Sequence, residues 1–331
     1  MKALILHGDL DGLTSGAVLY NILYNTGFRQ LIVLISQPFS LHRTLEKIFY
    51  RKNLTEIFLI DISVDIFSWY KIRQYLKELA SKAKITWIDH HKSTLYKVRE
   101  LTDIGVKIIY ENDGCTATIM RKIYVERTDN ILFFKKITII GEISDKVFKG
   151  VPEEHLIKLT NMLSSVLALK TRDDKFKIDL VKKWAIEKRY IDDYIKEEAF
   201  IARKKLKELS NIVKNHIIFS SDNIMIIDFS NISLKGFTGK IALDLSNRYK
   251  KIVVIIFTPN RRETVFTCRV PDEGYENINA AEIFYKIAEK IGGGSGGHKK
   301  AASLRLPTVK RGYALKTMLF LFNKFLKNYQ Y

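Results

Sequence analysis

The chain has 331 residues, of which 47% are hydrophobic and 27% charged, a balance that excludes a disordered or fibrous protein and leaves room for two or three domains. No apolar run approaches eighteen residues, which argues against a transmembrane helix, and the apolar start is too short for a secretory signal, so a cytoplasmic protein is expected. The net charge of +19 points to a phosphate-bearing partner, although a lysine-rich, well-solvated surface would give the same sum.

In chain order, the first third alternates short apolar runs with helical patterns. Strands are expected at Ala3–Leu6, Leu31–Ile35, Ile57–Ile60, Ile85–Ile88 and Val106–Tyr110. Helices are expected at Thr14–Tyr24, Leu41–Phe49 and Ile66–Leu79. Near-continuous apolar strands between helices predict a parallel sheet covered on both faces. Residues 115–150 read as helical, and 152–214 as a charged helical connector with solvated faces. From His216 a second, smaller α/β domain is expected, with strands at Ile217–Phe219, Ile224–Asp228, Ile252–Phe257 and Thr264–Arg269 and a helix at Gly239–Asn247. The domain limits read 1–151, 152–214 and 215–331. Cys115 and Cys268 stand far apart in no metal-ligand spacing and read as buried, reduced thiols.

Three polar spots share one address. His7, Asp9 and Asp11 follow the first strand, Asp61 ends the third, and Asp89, His90 and His91 end the fourth. In a parallel sheet all open at the C-terminal edge, where such folds place ligands. Taken singly, an aspartate after a strand is a helix N-cap and a histidine pair is surface or core. Together, that density of carboxylates and imidazoles needs cations to neutralise it. Asp/His coordination suits Mn²⁺, Mg²⁺ or Zn²⁺, and so many ligands fit two ions sharing a carboxylate better than one. The run Gly292–Gly297 with His298 reads either as a turn or as backbone able to approach an anion closely.

These residues resemble the motifs of the DHH phosphoesterases. His7-Gly8-Asp9-Leu10-Asp11-Gly12 resembles the first motif, Asp61 the second, Asp89-His90-His91 the signature, and Gly141-Glu142-Ile143-Ser144-Asp145 the fourth, placed on a helix. Gly293 to Ala302 is similar to the glycine-histidine motif of the family's C-terminal substrate domain, with Ser303 where that pattern ends in glycine. Arg269 stands where the family has a phosphate-gripping arginine. The resemblance covers essentially the whole chain.

It implies an N-terminal metal-binding domain and a C-terminal substrate domain. Asp9, Asp11, Asp61, His90 and Asp145 would hold two divalent ions, Mn²⁺ or Mg²⁺, with Asp61 bridging and His7 a further ligand. Asp89 and His91 would support catalysis, and Arg269, Gly296, Gly297 and His298 would hold substrate phosphate. The expected activity is hydrolysis of single-stranded or short oligonucleotides to mononucleotides. Two alternatives stay open: a cyclic-dinucleotide phosphodiesterase, and a scaffold or single-strand-binding module working with replication or repair proteins.

Overall fold

The computed structural model describes residues 1–27, 30–234 and 236–327. The chain divides into two compact units, Met1–Phe200 and Ile201–Tyr331.

In the first unit β1 (Lys2–His7), β2 (Leu31–Ser36), β3 (Glu56–Ile60), β4 (Lys84–Asp89) and β5 (Val106–Tyr110) form one parallel sheet in the order β2-β1-β3-β4-β5. Side chains alternate across it because a strand has a period of two. Leu4 and Leu6 join the core on one face, with α1 (Leu10–Asn25). Ala3 and Ile5 join the core on the other, with α2 (Leu41–Phe49) and α3 (Trp69–Ala80). Both faces are covered, which is why β1 reads as one apolar run.

Around the two short helices α4 (Lys92–Leu95) and α5 (Val98–Asp103) the chain passes from β4 to β5. Beyond β5 come α6 (Thr116–Ile119) and α7 (Ile131–Ser144). The helical pattern expected to reach residue 150 stops earlier: Asp145 caps α7 and Lys146 takes a positive φ of 59°. The charged stretch after it holds α8 (Glu154–Leu169), α9 (Asp174–Lys182) and α10 (Asp193–Ile212). Most of its charges face solvent, Lys177 on α9 being buried, and Leu156, Leu163, Val166, Leu180 and Trp184 bury an apolar stripe in the core with α1 and α7.

Two helix starts differ from the sequence expectation for local reasons. The first begins at Leu10, not Thr14, because Asp9 caps it by accepting from the Gly12 N–H at 3.1 Å. The third begins at Trp69, not Ile66, because the Asp65 carboxylate accepts from both the N–H and the hydroxyl of Ser68 and holds 65–68 in a turn.

The second unit is a six-stranded mixed sheet in the order β10-β11-β9-β8-β7-β6. Its strands are β6 (Ile217–Ser220), β7 (Ile224–Asp228), β8 (Ile252–Asn260), β9 (Glu263–Arg269), β10 (Gly294–His298) and β11 (Ala301–Pro307). Only β7 and β8 pair in parallel. Here α11 (Thr238–Tyr249) follows β7, while α12 (Ala280–Ile291) and α13 (Arg311–Lys327) pack Ile283, Phe284, Ile287, Met318 and Phe322 against Val254, Phe266 and Leu304. Cys115 and Cys268 are free and buried. Among the described residues no helix is long and apolar enough to cross a membrane.

Candidate metal centre

The order β2-β1-β3 reverses direction at β1, and at such a switch point the loops diverge and leave a crevice at the strands' C-terminal ends. His7, Asp9 and Asp11 leave β1 there, and Asp61 leaves β3 beside them. The backbone enforces the meeting. A Cβ at Gly12 would lie 2.6 Å from the His7 carbonyl oxygen, so only glycine lets α1 start this close to the strand. Asp61 takes a positive φ of 61°, a strained conformation for a residue with a side chain, and its N–H donates to Ile88 O at 2.9 Å.

Two sets of donors result. His7 Nδ1 lies 2.8 Å from Asp9 Oδ2 and 3.6 Å from Asp61 Oδ2, and these three residues can close on one point. His90 Nε2 lies 3.4 Å from Asp61 Oδ1, 3.5 Å from Asp145 Oδ2 and 3.7 Å from Asp11 Oδ2. Asp11, His90 and Asp145 form the second set. Asp61 gives one oxygen to each side.

Supporting bonds aim these groups. His7 Nε2 is 3.1 Å from Gln37 Oε1. Asp11 is fully buried and accepts from the N–H groups of Thr116 at 2.9 Å and Ala117 at 2.6 Å, the first residues of α6. Thr116 also donates its hydroxyl to Asp61 at 3.0 Å. Asp89 accepts from Thr94 Oγ1 at 2.5 Å and holds His91 Nδ1 at 2.7 Å. A carboxylate can only accept, so that contact places a proton on Nδ1 and makes Nε2 the basic nitrogen.

The electrostatics are those of a crowded anionic site. Burial and the charges of Asp61 and Asp145 hold the Asp11 carboxyl well above its ordinary value. Burial, with Asp61 and Asp9, pushes Asp145 up to about 7. Burial raises Asp61 too, but hydrogen bonds from His7 and His90 overcome it and hold that carboxyl well below 3.8. Burial opposes charge on His90, and Asp61, Asp11 and Asp145 outweigh it, raising it to about 10. Burial opposes charge on the His7 imidazole, and Asp9 and Asp61 outweigh it, raising it well above its ordinary value. Oxygen and imidazole donors without thiolate fit divalent cations.

The remaining expected residues lie in the second unit. Arg269 ends β9 and pairs with Ala301, which pairs with His298 on β10. The three form one row across three strands, so Arg269 and His298 share a face of the sheet, roughly 9–10 Å apart along the hydrogen-bonding direction. Burial lowers the Arg269 guanidinium, which donates to Cys268 O at 2.9 Å. It also lies against Gly239, where a Cβ would come within 2.8 Å of Nη2. The glycine run is a paired strand rather than a turn. Gly297 takes a φ of 127° and a Cβ there would meet Ala301 O at 2.3 Å, so glycine at this position serves strand pairing; a Cβ at Gly296 would meet nothing.

Residues 225–328 match the model of the DHHA1 domain. Over 96% of its length the chain superposes on RecJ from Thermus thermophilus, solved with Mn²⁺, at a TM-score of 0.65 and 14% identity. That match assigns residues 225–328 to the DHHA1 domain, and the likeness of the whole chain to RecJ shows a shared fold. The chain spans 51% of that RecJ chain. The pGpG-specific phosphodiesterase PggH of Vibrio cholerae aligns over 98% of this chain and 99% of its own, at 13% identity and a TM-score of 0.56. CDC45 of Entamoeba histolytica aligns over 96% and 94%, at 10% identity and 0.53. No curated protein sequence matches. The sequence reading passed over Thr116, Ala117, Thr94 and Gln37. Thr116 and Ala117 follow β5 at the same sheet edge as the acids, and that address is the signal that could have found them.

Proposed function

We propose that this chain is a metal-dependent phosphodiesterase that hydrolyses single-stranded or short oligonucleotides and releases mononucleotides. The observation that carries the reading is the pair of three-donor sets meeting at Asp61, at the switch point of the parallel sheet. His7, Asp9 and Asp61 would hold one divalent ion, and Asp11, His90 and Asp145 the other, with Mn²⁺ or Mg²⁺ the fitting choice. Bound there, such ions make water nucleophilic at neutral pH and offset charge on the phosphoryl oxygens.

The chain's own residues prepare that chemistry. Asp61 stays ionised and shared between the sets. Thr116 and Ala117 fix Asp11 with backbone N–H groups that do not move with pH. Thr94 and Asp89 lock the His91 ring, so that Nε2 can take up or return a proton at the site. In the second unit Arg269 offers a planar donor pair to a phosphate, with His298 on the same face. The +19 charge favours a polyanionic substrate and cytoplasmic nucleic acid as its source.

A second reading is favoured by the near end-to-end alignment with PggH: the substrate would be a linear or cyclic dinucleotide. The alignment with CDC45 supports a third, a replication scaffold, against which the complete set of site aspartates argues. A substrate panel in Mn²⁺ decides among them: labelled RNA and DNA of several lengths, cyclic and linear dinucleotides, and pyrophosphate. Release of mononucleotides from oligomers is expected. Turnover of dinucleotides alone would establish the second reading, and no hydrolysis of any of them the third.

A further inference from the structure

A cavity lies at the edge of the parallel sheet opposite the metal centre. Leu54 precedes β3 and Lys82 precedes β4, so both stand at the strands' N-terminal ends. Asp61 follows Leu54 by the full length of β3, roughly 20–25 Å along a strand. The cavity measures about 580 Å³, within the range of roughly 300–1,000 Å³ that small-ligand sites occupy. Leu54 and Leu79, both buried, give it apolar walls. Phe49 and Tyr50 add aromatic ones: their rings meet edge to face at 5.1 Å, and Tyr50 is 75% exposed.

The rest of the lining is basic. Arg51 and Lys52 come from the segment after α2 and Lys82 from the one after α3. Among the described residues none of these three cations is paired with a carboxylate. Lys82 Nζ lies 4.1 Å from the centre of the Phe49 ring. Both helices end here, and the partial negative charge of a helix C-terminus attracts cations. Lys47 and Lys77, in the last turns of α2 and α3, already meet that need. Arg51, Lys52 and Lys82 are charge beyond what the fold itself asks for.

We propose that this cavity binds one nucleotide of a single-stranded nucleic acid, its base against Tyr50 and its backbone phosphates on Arg51, Lys52 and Lys82. It is an anchoring site apart from the metal centre, and it stands whether or not the chain cleaves what it holds. An exposed aromatic ring takes any base, because every base has a π face. Cations without carboxylate partners beside that ring suit the phosphates that flank a base. The charge of +19 favours a polymer over a free nucleotide, since each phosphate neutralised releases counterions. A strand long enough to reach from here to the metal centre would be gripped at two points, and a dinucleotide at one.

The test is fluorescence anisotropy of a labelled single strand in chelator, where no metal-dependent hydrolysis occurs, so the result is independent of the proposed activity. Tyr50→Ala should weaken binding roughly fivefold or more. Arg51→Gln, Lys52→Gln and Lys82→Gln together should lower the slope of log affinity against log salt by about two, at ~0.7 for each phosphate contact on a single strand. All four side chains are exposed, so the variants should fold, and melting curves check it. Lys158→Gln, Lys175→Gln and Lys196→Gln, equally exposed on α8, α9 and α10, remove the same charge elsewhere and should leave the slope unchanged. No binding by the wild type, wild-type affinity in Tyr50→Ala, or an equal loss in the control triple overturns the site. A mononucleotide that displaces the labelled strand as well as an unlabelled strand does would overturn the polymer as its occupant.

Discussion

Thr116 holds Asp61 by a 3.0 Å hydrogen bond from its hydroxyl, while its own N–H is committed to Asp11 at 2.9 Å. One residue at the start of a four-residue helix therefore fixes two carboxylates, one in the first turn of α1 and one just past the end of β3. Thr116→Val keeps the shape and the N–H but deletes the hydroxyl. Metal affinity should fall roughly ten- to a hundredfold, the usual effect of losing a ligand's supporting bond. Calorimetric Mn²⁺ titration reads it directly, and unchanged affinity would show that the hydroxyl contact is incidental.

Asp61 faces His7 with one oxygen and His90 with the other. Asp61→Ala should remove a ligand from both donor sets, and His7→Ala from one. Turnover is expected to fall by roughly a thousandfold or more in the first and roughly ten- to a hundredfold in the second, with melting curves showing folded protein in both. Equal, mild losses would mean that Asp61 is not shared.

The metal-free protein should lose stability as pH rises from about 5 to 9. Asp145 sits at about 7 in the fold against an ordinary 3.8, so its folded state favours the proton and destabilises as pH climbs between those values. His90, at about 10 against 6.5, stabilises fully below 6.5 and loses that contribution as pH rises towards 10. Asp61, held low, matters only under acid conditions. Divalent ions need deprotonated ligands, so their stabilisation grows with pH. Melting temperatures at pH 5.5 and 8.5 should fall with pH in chelator and hold or rise in Mn²⁺. A flat profile in chelator would show that the carboxylates are relieved in some other way.

Gly141 separates packing from chemistry. A Cβ there would meet Thr14 Oγ1 at 2.6 Å and Ala117 Cβ at 2.7 Å, where α7 crosses α1 and α6. Gly141→Ala should destabilise by about 1–3 kcal/mol through overpacking, lowering Tm by about 2–4 °C for each kcal/mol. Wild-type Tm would show that the crossing relaxes at little expense.

The ends of β1, β3 and β4 are legible in the sequence because each apolar run stops at a charged residue, and a parallel sheet brings such ends to one edge. Thr116 and Thr94 are not legible, since each lies inside a four-residue helix that no periodicity marks, and only the fold shows whose carboxylate it meets. The run Gly294–His298 hides for the opposite reason. Glycines have little strand preference, and pairing with Ala301–Pro307, not local propensity, makes them a strand. Lys177 is hidden by its own neighbourhood, a charged helix in which one lysine turns inward.

Arg269 and His298 test whether substrate grip and metal chemistry are divided between the units. Both lie in the DHHA1 domain, on one row of its sheet, whereas every residue of the two donor sets lies before Phe200. Arg269→Ala and His298→Ala should therefore leave Mn²⁺ stoichiometry unchanged. On the proposed reading each removes one charged or polar contact to phosphate, which would cost about 2–4 kcal/mol of transition-state stabilisation when the contact tightens as charge shifts at phosphorus. A contact made equally in ground and transition states would raise KM alone. Both constants should change if these side chains hold the scissile phosphate as proposed, because the charge redistribution would fall on the oxygens they contact. Arg269→Lys should restore little, since a point charge does not reproduce the planar donor pair. Metal content and kinetics are measured on the same preparations. Loss of metal in either variant would break the division of labour, and wild-type kcat/KM in both would move substrate recognition elsewhere on the chain.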